Sequence, residues 1–325
     1  MNIAATTVAA LLLTATPAFS AGFERVSVPD PSGAALEVGI WYPSDVPPSA
    51  QQLGAYTQSV APSGAIKGKD LPLIVISHGS GGSFEGHYDT AVALAEAGFV
   101  VAAVTHTGDN YRDGSGFTQI ENRPRHIKAL IDYMLAPWPH HDLVDAKRIG
   151  VFGFSAGGFT ALVAIGGVPD MTKVAPYCLA HPDEWTCKKA KEYPAMRPAP
   201  PEAFVHDGRI KAAVIAAPAI GYVFSPEGLA KVTVPIQLWR GASDEILPHP
   251  RYAQIVYDGL AIKPEYHVVP NAGHFAFLAP CTPMLRQYAP AIICTDPAGF
   301  DRTAFHSEFN PAVVAFFKAK LPAQP

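Results

Sequence analysis

Charged residues are scarce in this sequence, and they form no long run of one sign. Only 16% of the 325 residues are Asp, Glu, Lys or Arg, and the formal net charge is −4. Proteins that bind a phosphate backbone or an anionic membrane surface carry a basic patch or stripe, so nucleic acid is not a predicted partner. Intrinsic disorder is excluded as well, because 49% of the residues are hydrophobic and such a chain can bury a core.

Long hydrophobic segments are also missing, apart from one at the N-terminus. Residues 3–18 are nearly all apolar or small, but this segment is shorter than the roughly 20 residues that span a bilayer. Ala18 and Ser20 place small side chains at the two positions that a signal peptidase recognises before Ala21. We therefore predict a signal peptide over residues 1–20, export to the periplasm or the medium, and no stable membrane insertion. These 20 residues contain no Lys or Arg, so a disordered or packed N-terminus is the alternative.

Cysteine is rare and is confined to the second half of the chain, at Cys178, Cys187, Cys281 and Cys294. Four cysteines allow three pairings. Pairing between neighbours is the simplest, because each disulfide would then close a short loop in a Pro-rich segment of an exported chain. Neither pair has the gap of roughly two to four residues that is typical of a zinc knuckle, so no metal site is predicted.

Runs of β-branched residues alternate with segments of helical periodicity along most of the chain. The first two predicted strands, at 25–29 and 36–42, alternate apolar and polar residues, which is typical of antiparallel edge strands. Further strands are predicted at 73–77, 99–104, 148–153, 210–216, 234–240 and 265–269, and helices at 87–97, 120–135, 155–165 and 307–320. This alternation predicts an α/β fold with a mostly parallel central sheet and helices on both faces.

Two segments interrupt the alternation, at about 168–209 and 275–306. Each contains two of the cysteines and several prolines. We expect ordered loops or a small cap-like insertion there, within a single domain that spans residues 21–325. No linker in the sequence is polar enough to separate independent domains.

The motif Gly153-Phe154-Ser155-Ala156-Gly157 lies between a predicted strand and a predicted helix. In that context G-x-S-x-G indicates a nucleophile elbow. The sharp turn holds the serine in a strained conformation, and side chains two residues before and after it would collide with the neighbouring backbone. We therefore predict Ser155 as a nucleophile. The alternative is an ordinary strand–helix loop that happens to contain Gly and Ser.

A serine hydroxyl needs a base, and the base needs an acid that orients it. On a fold of this kind the acid and then the histidine follow the serine in the sequence. Asp244 comes just after the strand predicted at 234–240, and His274 follows the strand predicted at 265–269 after a short turn. We predict that both reach the carboxyl edge of the sheet, with Glu245 as the rival acid. The alternatives are a turn aspartate and a surface histidine.

The first central strand ends in Ser77-His78-Gly79-Ser80-Gly81-Gly82. A glycine-rich turn at this place lets a backbone N–H approach a substrate oxygen. We predict an oxyanion hole formed by the N–H groups of Ser80 and Ala156, with His78 supporting the turn. A phosphate-binding loop is disfavoured, because the lysine and the spacing of G-x-x-x-x-G-K-[ST] are missing.

Other polar and aromatic features indicate no further site. The loop from Asp109 to Gly114 imitates a calcium loop, but Tyr111 and Ile120 stand where ligands are needed, so we expect a solvated loop. His140 and His141 are predicted at the surface. Three aromatic residues are candidates either for an acyl pocket or for the core: Trp185, Tyr222 and Phe224.

Several of these segments together resemble known families. The run Ile74-Val75-Ile76-Ser77-His78-Gly79, with residues 97–104 and His106, resembles the platelet-activating factor acetylhydrolase group of α/β-hydrolases. The block Gly273-His274-Phe275-Ala276-Phe277-Leu278 resembles exported bacterial proteins that are labelled predicted dienelactone hydrolases. The similarity covers most of residues 36–320.

This resemblance implies the α/β-hydrolase fold, hydrolysis of esters with small acyl groups, and no cofactor. It also implies Ser155, Asp244 and His274 as the catalytic triad. The chain departs from both groups, because dienelactone hydrolases have a cysteine nucleophile where Ser155 stands and the acetylhydrolases usually have histidine where Phe154 stands.

The predicted function is that of an exported serine carboxylesterase acting on a small-molecule, lipid-like or polymeric ester. Acyl transfer or peptide hydrolysis by the same triad is one alternative. A non-catalytic binding protein on the same fold is another, since fold does not imply function. The sequence indicates no oligomeric state.

Overall fold

The computed structural model describes residues 19–30, 33–193 and 198–323. Its strands are Ser20–Val28 (β1), Leu36–Ser44 (β2), Ser49–Leu53 (β3), Tyr56–Pro62 (β4), Leu71–Ser77 (β5), Val100–Thr105 (β6), Val144–Phe154 (β7), Ile210–Ala216 (β8), Ile236–Gly241 (β9) and Glu265–Val269 (β10). Its α-helices are Tyr88–Glu96 (α1), Asn122–Leu135 (α2), Ala156–Ala164 (α3), Val174–Ala180 (α4), Trp185–Glu192 (α5), Pro226–Leu229 (α6), Ala253–Gly259 (α7), Pro283–Tyr288 (α8), Ala291–Cys294 (α9) and Arg302–Lys320 (α10).

The strands form one ten-stranded sheet in the order β10-β9-β8-β7-β5-β6-β2-β1-β4-β3. The six strands from β10 to β6 in this order are all parallel. Every residue of β5 and β6 is buried, as expected for strands covered on both faces. Helices α1 and α10 pack together against the sheet, and α2 packs with α3. The sheet is therefore the mostly parallel one that the sequence predicts.

The antiparallel part of the sheet is larger than predicted. Strands β1 and β2 pair with each other along their whole length, and β2 also pairs with β6. They are not at the edge, because the hairpin of β3 and β4 lies beyond β1. The prediction of edge strands was wrong since this hairpin was missed: β3 is short and polar, with the sequence Ser-Ala-Gln-Gln-Leu, and gives little strand signal.

The two predicted insertions contain short helices and one disulfide each. Residues 168–209 include α4 and α5, which are joined by a Cys178–Cys187 disulfide. The N–H of Asp207 donates to the carbonyl of Ala164 at 2.8 Å, so this insertion returns to the point from which it leaves α3. Residues 275–306 include α8 and α9 and a Cys281–Cys294 disulfide.

The predicted signal peptide lies mostly outside the described residues. Of residues 1–20, the structure describes Phe19 and Ser20, and Ser20 is the first residue of β1. Within the described part of the chain, no helix is both long and apolar enough to cross a membrane.

Candidate active site

Ser155 lies at the turn from β7 to α3 in a backbone conformation that residues with a side chain rarely adopt. Its φ is 56° and its ψ is −117°. A Cβ atom on Gly153 would lie 2.1 Å from the carbonyl oxygen of Gly157, and a Cβ on Gly157 would lie 1.9 Å from that of Ser77. Both distances are too short for real atoms, so the turn requires glycine at the two positions that the motif supplies.

Three side chains from three separate strand ends meet at this turn. His274 Nε2 lies 3.0 Å from Ser155 Oγ, and His274 Nδ1 lies 2.8 Å from Asp244 Oδ2. Each of the three residues is less than one-tenth exposed. Because a carboxylate only accepts hydrogen bonds, Nδ1 of His274 donates to Asp244 and Nε2 is left to accept from the serine hydroxyl. The geometry is that of a hydroxyl activated by an oriented imidazole.

The loop after β9 fixes the orientation of Asp244. The second carboxylate oxygen, Oδ1, accepts the N–H groups of Ile246 at 3.0 Å and Leu247 at 2.7 Å. Glu245, the rival acid, is exposed. The structure therefore brings Asp244, and not Glu245, to His274.

The predicted oxyanion donors border the same space. Ser80, Ser155 and Ala156 all line one cavity. Among the described residues, none accepts a hydrogen bond from the backbone N–H of Ser80 or Ala156. Ala156 is the first residue of α3, where the N–H groups of a helix have no partner within the helix. Both donors are therefore available to an oxygen in the cavity.

The expectation of a solvated loop is wrong for Asp109. This residue is only 4% exposed, and its Oδ2 lies 2.7 Å from Nη1 of Arg123, which is 1% exposed. The carboxylate also accepts the hydroxyl of Ser80 at 3.2 Å and the N–H of Gly81 at 3.1 Å. The polar composition of the loop gives no sign that the Asp109 side chain turns inward. Its partner Arg123 lies on α2, and an arginine on a helix is usually expected at the surface.

Three buried histidines behind the Ser80 turn were not predicted as a group. His78 Nε2 accepts the N–H of His106 at 3.0 Å, and His106 Nδ1 lies 3.1 Å from His126 Nδ1. His106 Nε2 lies 2.8 Å from Ser77 Oγ, and His126 Nε2 lies 3.3 Å from Asp30. Burial lowers the pKa of His78 and His106 well below the usual histidine range and that of His126 to about 4. Burial therefore favours the neutral form of these rings. No local sequence pattern marks their contact.

The cavity in front of Ser155 has a volume of about 390 Å³ and is walled mainly by apolar side chains. Of the three predicted aromatic residues, Trp185 and Tyr222 line it, whereas Phe224 packs in the core against Phe159 at a ring distance of 5.5 Å. Other apolar lining residues are Phe117, Ile120, Met171, Val174, Ile220 and Leu247. His140 and His141 are exposed, as predicted.

One carboxylate attaches the first insertion to the body of the molecule. Glu184 lies at the start of α5, and its Oε2 accepts the hydroxyls of Tyr177 at 2.7 Å and Tyr252 at 2.5 Å. Its Oε1 lies 2.6 Å from Nη2 of Arg251. Tyr177 also stacks on Tyr222, with the rings 3.5 Å apart. The described residues of 168–209, several of which line the cavity, are therefore held to the rest of the molecule, and we call them the cap.

Two comparisons with known proteins bear on this architecture. Residues 86–176 match the model of the prolyl oligopeptidase family, a segment that includes Ser155 but neither Asp244 nor His274. A ferulic acid esterase from Streptomyces cinnamoneus has a similar structure, with a TM-score of 0.65 and 21% sequence identity over 97% of this chain and 94% of that chain. A search of curated protein sequences finds no match.

At this level of identity the structural likeness establishes the fold. Neither match names the acetylhydrolase or dienelactone hydrolase group, so that narrower resemblance stays a prediction. By the architecture of its sheet and by the structural match, the chain has the α/β-hydrolase fold.

Proposed function

We propose that the protein is a serine hydrolase that cleaves carboxylic esters. The observation that carries the proposal is the hydrogen-bonded series from Ser155 through His274 to Asp244, which begins at a strained turn beside a cavity. A serine hydroxyl is a weak nucleophile at neutral pH, and this arrangement is what activates it. The match to a hydrolase family over the segment that contains Ser155 supports the same function.

In the proposed reaction, Ser155 Oγ attacks the ester carbonyl while His274 Nε2 takes its proton. The carbonyl oxygen becomes an oxyanion and accepts the N–H groups of Ser80 and Ala156. Collapse of the tetrahedral intermediate expels the alcohol, which receives the proton from His274. Water then attacks the acyl-enzyme with His274 as base, releasing the acid and restoring Ser155. Asp244 holds the imidazole in the required tautomer and stabilises its charged form.

The cavity favours an ester with an apolar acyl group. Its volume of about 390 Å³ lies in the range of pockets that hold small organic ligands and exceeds what an acetyl group fills. The resemblance in the sequence implies small acyl groups, whereas this cavity has room for a longer chain or an aromatic ring. The structural neighbour is a ferulic acid esterase, which supports including aromatic acids among the substrates to be tested.

Peptide hydrolysis is a second candidate function, favoured by the match of residues 86–176 to the prolyl oligopeptidase family. An amide substrate uses the same nucleophile and base. It differs in its leaving group, because the amine must be protonated before it departs. Relative activity on matched ester and amide substrates therefore separates the two functions.

We also propose that the protein is exported. Disulfides persist in oxidising compartments and are rare in the cytosol, and the structure contains two, Cys178–Cys187 and Cys281–Cys294. Removal of residues 1–20 would leave Ala21 as the first residue, within β1. N-terminal sequencing of the protein from a periplasmic or medium fraction tests this. Recovery only in the cytosol with residues 1–20 intact contradicts it.

The decisive experiment combines a substrate panel with a covalent label. Nitrophenyl esters of increasing acyl length and of aromatic acids are compared with nitroanilides of amino acids, and a fluorophosphonate is mapped by mass spectrometry. We expect ester turnover, a preference for acyl groups larger than acetyl, and the label on Ser155. A label elsewhere contradicts the nucleophile, and faster amide turnover favours a peptidase. Ligand binding without turnover or labelling favours a binding protein, and added alcohols that capture the acyl group favour acyl transfer.

A further inference from the structure

A buried ion pair lies directly behind the loop that carries Ser80, and the triad chemistry makes no use of it. Arg123 is 1% exposed and Asp109 is 4% exposed, with 2.7 Å between Arg123 Nη1 and Asp109 Oδ2. Desolvation of two ions is unfavourable, and apolar residues of similar volume often stabilise a protein equally well. A role in stability alone therefore gives little reason for the pair.

The carboxylate of Asp109 fixes the loop that carries the first oxyanion donor. It accepts the hydroxyl of Ser80 at 3.2 Å and the backbone N–H of Gly81 at 3.1 Å. These contacts occupy the Ser80 side chain and the following N–H, and they leave the N–H of Ser80 itself without an acceptor among the described residues. Asp109 therefore sets the direction of the Ser80 peptide group.

The guanidinium of Arg123 is also linked, through Thr160, to the carbonyl of Ala156, the residue that carries the second donor. Its Nε donates to Thr160 Oγ1 at 3.2 Å, and the hydroxyl of Thr160 donates to the carbonyl of Ala156 at 2.8 Å. Its Nη2 donates to the carbonyl of His78, at the end of β5. One buried side chain thus connects the turn after β5 with the first turn of α3.

We propose that Arg123 and Asp109 are positioning residues that hold the N–H groups of Ser80 and Ala156 at the spacing an oxyanion requires. The inference rests on the proposed serine hydrolase function. The two donors belong to different elements, and they stabilise a developing charge best when they are fixed before it appears. Arg123 also offsets the negative charge of Asp109, which would otherwise repel the oxyanion.

The double variant Arg123→Met/Asp109→Leu tests the proposal, because it removes both charges and leaves no unpaired ion in the interior. We expect it to fold and to lower kcat for a nitrophenyl ester about 10-fold to 100-fold, with KM changed by less than about twofold. This loss is smaller than the roughly 10²-fold to 10³-fold loss on removal of a whole oxyanion donor. A trifluoromethyl ketone, whose adduct with Ser155 carries an oxyanion, should bind more weakly by the same factor as kcat falls.

Asp113→Asn is the matched control, because Asp113 lies in the same loop and is exposed; its kcat should equal that of the wild type. A folded double variant with wild-type kcat and inhibitor affinity overturns the positioning role. That result leaves the proposed function intact provided that wild-type ester turnover is lost in Ser155→Ala. Absence of ester turnover in the wild type overturns both.

If the double variant does not fold, two milder variants decide the question. Ser80→Ala removes the hydroxyl contact to Asp109, and Thr160→Val removes the link from Arg123 to Ala156. Each should lower kcat about 3-fold to 10-fold at unchanged KM, a fraction of the effect of losing a donor. Wild-type kcat in both variants overturns the proposal.

Discussion

Two buried aspartates lie on opposite sides of Ser155, and their partners differ. Asp244 faces the imidazole of His274, whereas Asp109 faces the guanidinium of Arg123. An imidazole gains and loses a proton near neutral pH, while a guanidinium stays charged. In the proposed mechanism the Asp244 side moves a proton and the Asp109 side only holds geometry. The comparison teaches that the role of a buried aspartate depends on whether the group it pairs with can exchange a proton.

The largest expected effect follows from removing Ser155 Oγ, the proposed nucleophile that lies between the two aspartates. Ser155→Ala should fold normally and lose ester hydrolysis by roughly 10³-fold to 10⁶-fold, because the nucleophile is gone while the donors remain. Steady-state kinetics and circular dichroism check this. Near-wild-type turnover in the variant would exclude Ser155 as the nucleophile, and with it the proposed roles of Asp244 and Asp109.

On the Asp244 side, Asp244→Asn should lower kcat by about 10⁴-fold, because an amide cannot stabilise the charged imidazole and favours the wrong tautomer. Glu245→Gln is the matched control, since Glu245 is adjacent and exposed. Its kcat should stay within a few fold of the wild type. If the two variants rank in the opposite order, the acid is Glu245.

The two disulfides allow the region around His274 to be compared with the cap, both in stability and in kinetics. The Cys281–Cys294 disulfide follows the His274 turn, while Cys178–Cys187 lies in the cap. The loops are of similar length, so replacing either pair by serine should lower the free energy of unfolding by up to about 3 kcal/mol. We expect the first replacement to lower kcat and the second to raise KM. Denaturant titration measures the change in unfolding free energy, and steady-state kinetics measures kcat and KM. The same change in kcat and KM for both replacements would contradict this assignment.

The last prediction concerns the pH dependence of stability on the Asp109 side, where the buried histidines lie. The folded-state pKa of His126 is lowered to about 4 by burial, against roughly 6.5 in an unfolded chain. The unfolded state therefore binds more protons between these values, so stability is complete above about pH 6.5 and is lost as the pH falls toward 4. The buried His78 and His106 act in the same direction.

Each such histidine should contribute a loss of at most about 1.4 kcal/mol per pH unit. Thermal unfolding of the wild type from pH 8 to 5 measures the total. His126→Gln should flatten the dependence, while His140→Gln, at an exposed position, should leave it unchanged. A dependence that is the same in all three proteins would show that His126 does not contribute to the loss of stability in acid.

The sequence predicted the parts of the site that depend on local pattern. Glycine at 153 and 157 marks the elbow because a side chain at either position would collide with backbone. Asp244 and His274 follow the parallel strands β9 and β10, so their place at the carboxyl edge of the sheet can be worked out from strand ends. The parallel strands were predicted close to their observed positions because runs of β-branched residues are also a local pattern.

The parts that were missed depend on contacts between distant residues. Asp109 and Arg123 are polar residues in segments that look exposed, and nothing in either segment shows that they face each other. The contacts among His78, His106 and His126 likewise arise only once β5, β6 and α2 are assembled. The edge hairpin was missed for a different reason, since β3 lacks the alternating apolar residues of a buried strand.

The hydrogen bond between Asp207 and Ala164 means that the cap enters and leaves the fold at one place. The length of the cap can therefore change without affecting the pairing of β7 with β8, because no strand has to shift when residues are added or removed between Ala164 and Asp207. We therefore expect the cap to be replaceable. If the proposed function is correct, a chimera that carries the corresponding segment of another protein of this fold between Ala164 and Asp207 should change which esters are accepted while leaving the turn at Ser155 unaltered.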